Sequence, residues 1–164
     1  MAFRAVSPEA RAAIADLNAR WAWAVDGRDY EVLRDILHPD VHWVGHGGEL
    51  HGRDAVVASY TGRTGNETRT TRHGLGNLLL EQVDERTVRG RSTWHNFASN
   101  EVPPGPPAVY LVADFRDTYV RGEGDTWLLR ERIIEGVFRE PSLGPPGLAL
   151  GHGQTNTHER NTPA

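Results

Sequence analysis

The chain has 164 residues, 38% of them hydrophobic and 24% charged, with a net charge of −4 and no cysteine. That length fits one domain with its own core, and the lack of thiols excludes disulfides and thiolate metal sites. Acids and arginines are interspersed, which disfavours nucleic-acid binding, and neither a membrane-length apolar run nor a signal-peptide layout is present, so a cytoplasmic protein is expected.

Ser7-Pro8-Glu9 is a helix start, with Ser as N-cap, Pro at the first helical position and an acid in the first turn. Ile14, Leu17, Trp21 and Val25 then recur at helical spacing, Asp26 sits at the edge of that stripe, and Gly27 reads as the helix stop. A short helix is expected from about Asp29 to His38-Pro39, then a strand from Val41 to Val44 that turns back through Gly45–Gly48. Gly52-Arg53-Asp54 opens another short helix, Ala55 to Tyr60, and the polar stretch from Thr61 to Thr68 reads as a loop.

Long strands follow, roughly Thr70 to Val83, Thr87 to Ser99, Val109 to Arg121 and Trp127 to Arg139, with tight turns that make neighbours antiparallel. The first contains a run, Arg72 to Glu81, that reads as buried and is headed by His73. In the second, Arg89 and Arg91 mark the solvent face, so Val88, Gly90, Ser92, Trp94 and Asn96 should point inward and His95 outward. Helices first and strands afterwards indicate an α+β protein. A strongly curved sheet around a cavity, closed by the N-terminal helices, would bury such apolar strands.

Four histidines crowd one region, His38, His42, His46 and His51. Pro39 and Gly45 rule out a helix there, and on a strand His42 and His46 would stand on the order of 13 Å apart, too far to share an ion. No metal and no cofactor are expected. An Asp beside tryptophans and a His heading an apolar strand are groups that need partners, so Asp26 and His73 are read as a carboxylate-oriented imidazole. Arg132, inside the core-type strand Trp127-Leu-Leu-Arg-Glu-Arg132, needs an acidic partner or an anionic ligand.

A helix ending in Asp26, a short helix, His38-Pro39-Asp40, a Trp43 strand, a Gly52-Arg53-Asp54-Ala55 helix, a His73-led strand and then long strands resemble the SnoaL-like branch of the NTF2-like superfamily over about residues 8–140. The resemblance implies an α+β fold in which a cone-shaped curved mixed sheet and N-terminal helices enclose a deep apolar pocket. Residues 1–140 would form that domain, and the Gly/Pro-rich tail 141–164 would be a flexible end or a cover for the pocket or a neighbouring subunit. Within the branch the chain is most similar to scytalone dehydratase, bile-acid dehydratase and hexachlorocyclohexane dehydrochlorinase.

From these relatives the resemblance implies a catalytic Asp26 and His73, an inward Arg132 that holds the Asp carboxylate or a substrate oxygen, and a pocket tryptophan at Trp43. Trp21, Trp94 and Phe115 would add apolar walls, and Asn96 an orienting hydrogen bond. Trp21 stands where the dehydrochlorinase has a lysine, which weakens halide elimination. The implied activity is cofactor-independent general acid/base catalysis, dehydratase-like on a hydrophobic cyclic small molecule. A polyketide cyclase, a ketosteroid-isomerase-like isomerase and a non-catalytic binding subunit are the alternatives. A homodimer or homotrimer is implied by the same relatives.

Overall fold

The computed structural model describes residues 4–45, 48–62, 68–106 and 108–145. The first helix, α1 (Pro8–Gly27), starts where the sequence indicates: Ser7 Oγ accepts a hydrogen bond from the Ala10 N–H at 3.1 Å, and Pro8 occupies the first turn. Its Ile14, Leu17 and Trp21 stripe is buried, whereas Trp23, two positions from Trp21 and off that stripe, is 70% exposed. The helix ends at Gly27 as expected, but the left-handed cap falls one residue later, on Arg28 (φ 59°), whose N–H reaches Ala24 O. The Arg28 side chain reaches Arg69 O at 3.2 Å, an anchor that helps hold a non-glycine residue in this conformation.

Helix α2 (Tyr30–Ile36) is shorter than expected, because Leu37 is already extended and begins β1 (Leu37–Gly45). Pro39 therefore lies in a strand, where its fixed φ is tolerated near the first residues. A short β2 (Gly48–His51) and helix α3 (Arg53–Thr61) follow. The long strands are β3 (Thr70–Asp84), β4 (Thr87–Ser99), β5 (Val109–Arg121) and β6 (Trp127–Arg139), close to the expected bounds.

All six strands form one sheet in the order β2-β1-β6-β5-β4-β3. β1 runs parallel to β6 and every other pair is antiparallel, so the sheet is mixed. Register shifts at Gly76/Leu79, Asn96/Phe97, Val112/Ala113 and Thr118/Tyr119 mark bulges, which sharpen local twist and help the sheet curl. The three helices lie against the inner face, and the core runs from Ile14, Leu17 and Trp21 through Leu33, Ile36 and Val56 to Leu80, Tyr119 and Leu129. This is the α+β cone expected from the resemblance. No helix among the described residues is long and apolar enough to cross a membrane.

β4 alternates as expected, with Val88, Gly90, Ser92, Trp94 and Asn96 buried and Arg89, Arg91 and His95 exposed. β3 corrects the sequence reading. Among the described residues β4 is its only strand neighbour, the other edge meeting the N-terminal segment where the Gln82 N–H donates to Arg4 O, and of its run Arg72 to Glu81 only Leu80 is fully buried. Leu79, next to it, is 51% exposed because successive side chains alternate faces. The tail expectation concerns mostly residues beyond 145, outside the described part. Residues Pro141–Leu143 form a single 3-10 turn.

Candidate functional site

Asp26 occupies the last turn of α1, and β3 passes alongside it. Thr71 and His73, two residues apart, share one side of that strand. Three donors converge on the carboxylate: His73 N–H on Oδ2 at 2.9 Å, and His73 Nδ1 and Thr71 Oγ1 on Oδ1 at 2.7 Å each. An ionised carboxylate only accepts, so the imidazole carries its proton on Nδ1 toward Asp26 and presents Nε2 away from it. Both side chains are largely buried, 5% exposed for Asp26 and 11% for His73. Burial alone raises the Asp26 pKa, but the hydrogen bond and charge of His73, with the Thr71 and backbone bonds, outweigh it and hold the carboxyl below its ordinary value.

His73 opens onto a cavity of about 270 Å³, just below the roughly 300–1,000 Å³ typical of ligand pockets. α1 contributes Trp21, Val25 and Asp26, and the sheet contributes Trp94, Phe115, Leu111 and Ile134. Tyr30 and Tyr60 add a phenolic side, and Asn96, which faces His73 across the β3–β4 ladder, adds an amide. Arg28, Arg69 and Thr61 make the lining polar at another part of the wall, and Pro145 closes against it. The Arg69 guanidinium also donates to Asn100 Oδ1 and Leu143 O, so it ties the segment after β6 to the cavity wall.

Trp21 is the hinge of the aromatic wall. Its ring meets His73 edge-on at 5.2 Å, Trp94 at 4.9 Å and Phe115 at 5.9 Å. The expected wall residues Trp21, Trp94, Phe115 and Asn96 all line the cavity. Trp43 does not. It lies behind Trp21, 6.2 Å between rings, because β1 is one strand further along the sheet than β6 and its inward side chains fill the core beneath the helices.

Arg132 also departs from expectation. Its guanidinium binds Asp117 through two hydrogen bonds of 2.8 Å and Asn18 Oδ1 at 2.7 Å, and no hydrogen bond links it to Asp26. Tyr119 completes the cluster, donating to Asp117 Oδ2 at 2.6 Å and accepting from Asn18 Nδ2 at 2.8 Å. Burial disfavours the Arg132 charge, yet Asp117 outweighs it and raises the arginine pKa, while burial and the Asp117 charge push the Tyr119 hydroxyl well up. The guanidinium lies 4.6 Å from the Trp21 ring centre and 4.9 Å from that of Phe115, so it underlies the pocket wall rather than forming it.

Sequence reasoning missed Asp117, Asn18, Tyr119 and Thr71. Inward alternation on β5 around Phe115 was the available signal for Asp117 and Tyr119, and Thr71 is two residues before His73 on a strand. Three buried polar atoms have no partner among the described residues: Trp21 Nε1, Asn96 Oδ1 and Arg132 Nη1. Two of them belong to cavity-lining side chains, which suits a ligand with its own donors and acceptors. Away from the cavity, His42 and His51 meet across the β1–β2 hairpin with Glu49, a grouping the in-strand spacing of His42 and His46 did not suggest. His46 itself lies outside the described residues.

The SnoaL-like domain model matches residues 7–133. No curated protein matches the chain. Among solved structures, Aln2 from a Streptomyces species superposes with a TM-score of 0.72 at 22% identity, over 81% of this chain and 94% of that one. LinA gives 0.69 at 25% identity, over 79% and 87%. A scytalone dehydratase-like protein from Novosphingobium aromaticivorans gives 0.68 at 20%, over 79% and 85%. With the family model spanning most of its length and solved structures of the same architecture superposing on it, the chain belongs to the SnoaL-like family.

Proposed function

We propose that the protein is a cofactor-independent lyase that removes water from a hydrophobic, cyclic small molecule bound in the Asp26–His73 cavity. The observation that carries this reading is the doubly hydrogen-bonded dyad, with His73 Nε2 left facing an aromatic pocket. Asp26 fixes the imidazole tautomer and ring orientation and would stabilise the imidazolium that forms. In the proposed step Nε2 takes the proton from a carbon next to a carbonyl. The C–H electrons form the new double bond, the C–O bond to the neighbouring hydroxyl breaks, and the imidazolium returns the proton to that leaving group as water.

Trp21 Nε1–H would donate to a substrate oxygen, and Asn96 Oδ1 would accept from a substrate hydroxyl, since both atoms are short of partners. Arg132 supports this wall from behind by keeping Trp21 and Phe115 in place. A structural neighbour bearing the dehydratase name is consistent with this chemistry. The same imidazole could serve a cyclase or isomerase, where the proton returns to carbon instead.

The test is a panel of cyclic β-hydroxy ketones incubated with the protein in deuterated water, followed by mass spectrometry and proton NMR. Loss of water is expected for the best-fitting ring system, with His73→Gln slowed by about 10²–10⁴-fold. Deuterium entering carbon without loss of water would favour the isomerase reading. Full turnover by a folded His73→Gln variant would overturn the dyad.

A further inference from the structure

We propose that His42, Glu49 and His51 form a binding site for a divalent transition-metal ion, best matched by Zn²⁺, on the outer face of the sheet and separate from the cavity. The register of the strands builds it. His42 on β1 pairs with His51 on β2, and on its other side with Glu131 on β6, which in turn pairs with Thr118 on β5. These four side chains thus form one row across four strands, on the face opposite the buried Trp43.

The two imidazoles stack almost parallel, 4.9 Å between centres and 5° between planes. Both aim Nε2 at the same oxygen, Glu49 Oε1, at 2.7 Å from His42 and 3.1 Å from His51. The three candidate ligand atoms lie within 4.8 Å of one another. Ligands of a tetrahedral zinc stand roughly 3.3 Å apart when bonds are about 2.0–2.1 Å, so closure needs shifts on the order of an ångström at exposed side-chain ends.

The second observation is behind the ligands. His42 Nδ1 contacts Glu131 Oε1 at 3.0 Å, and Glu131 Oε2 accepts from Thr118 Oγ1 at 3.2 Å. A neutral His42 can donate to only one of its two carboxylates. If an ion takes Nε2, the proton stays on Nδ1 and serves Glu131, which is the carboxylate–histidine–metal arrangement that orients a ligand imidazole. Two imidazole nitrogens and one carboxylate suit Zn²⁺ and leave a fourth position for water, while Glu49 and Glu131 offset the charge of the ion. Bound there, the ion would staple the four-residue edge strand β2 to β1.

Calorimetric titration of the full, untagged chain with Zn²⁺ tests the site. One equivalent should bind, and His51→Ala and Glu49→Gln should each weaken it at least tenfold. Glu131→Gln, which removes no ligand, should weaken it about 10–100-fold. The His51 side chain is 72% exposed, so that variant should keep its fold even if His42→Ala does not. In NMR spectra Zn²⁺ should move the ring signals of His42 and His51 and leave those of His73 in place. An isotherm unchanged by His51→Ala, or absent from the wild type, would overturn the proposal, the former because the ion then sits on other histidines.

Discussion

At the scale of single residues, the site depends on how many donors a carboxylate can hold. Asp26 accepts three, and two of them come from His73. Thr71→Val deletes the third and should cost roughly 1.5–3 kcal/mol in denaturant unfolding, the usual range for a hydrogen bond to a charged group. It should lower turnover less than Asp26→Asn, which also puts an amide where a tautomer-fixing acceptor is needed. Arg132 behaves differently. Asp117→Ala strips its partner and leaves a buried cation, so a loss of about 3–5 kcal/mol is expected. Replacing both members, Arg132→Met with Asp117→Leu, should recover much of that loss in the same unfolding assay, since no buried charge is then left unpaired. Asp26 and His73 were legible because each is a polar group in an apolar run. Arg132 was legible as a residue needing an acid, but the resemblance offered the Asp26 carboxylate, and Asp117 emerges as its partner only once the β5–β6 register that sets the two side by side is known.

Among the elements, α1 and the four long strands were legible because their signals are local: a Ser-Pro-Glu start, a 3.6-residue stripe and alternation bounded by turns. The residue that caps α1 was not, since Gly27 is the better cap by preference and yet Arg28 takes the left-handed position. β3 was misread for a different reason. Continuous apolar runs suggest a strand buried on both faces, but edge position depends on the order of strands, which is set by long-range pairing. The consequence is measurable. Leu80→Ala should cost about 2–5 kcal/mol in denaturant unfolding, as for a fully buried leucine. Leu79→Lys, one residue away and half exposed, should stay within about 0.5 kcal/mol. Equal losses at both positions would mean that β3 is covered on both faces.

For the whole molecule, the Asp26 carboxylate is also a fastener between layers, joining the end of α1 to the edge strand β3 across 47 residues of sequence. No periodicity announces such a link, because it depends on the parallel β1–β6 pairing and the curl of the sheet that bring the helix over β3. Its contribution should be visible in the pH dependence of folding. The native carboxyl titrates below its ordinary value of 3.8, so the folded state binds this proton less readily than the unfolded state does. Stability from Asp26 is therefore complete above the unfolded value and falls away as pH drops through the depressed native one. Wild type and Asp26→Asn, unfolded in urea from neutral pH down to roughly pH 3, should differ most at neutral pH and converge toward acid. Since His73 is a partner of the same carboxylate, His73→Gln should narrow the pH-dependent difference. If the wild type and Asp26→Asn curves stay parallel down to the acid limit, the carboxylate contributes nothing as a charge, and the contact between helix and sheet rests on packing, such as that of Trp21 against His73, and on uncharged hydrogen bonds.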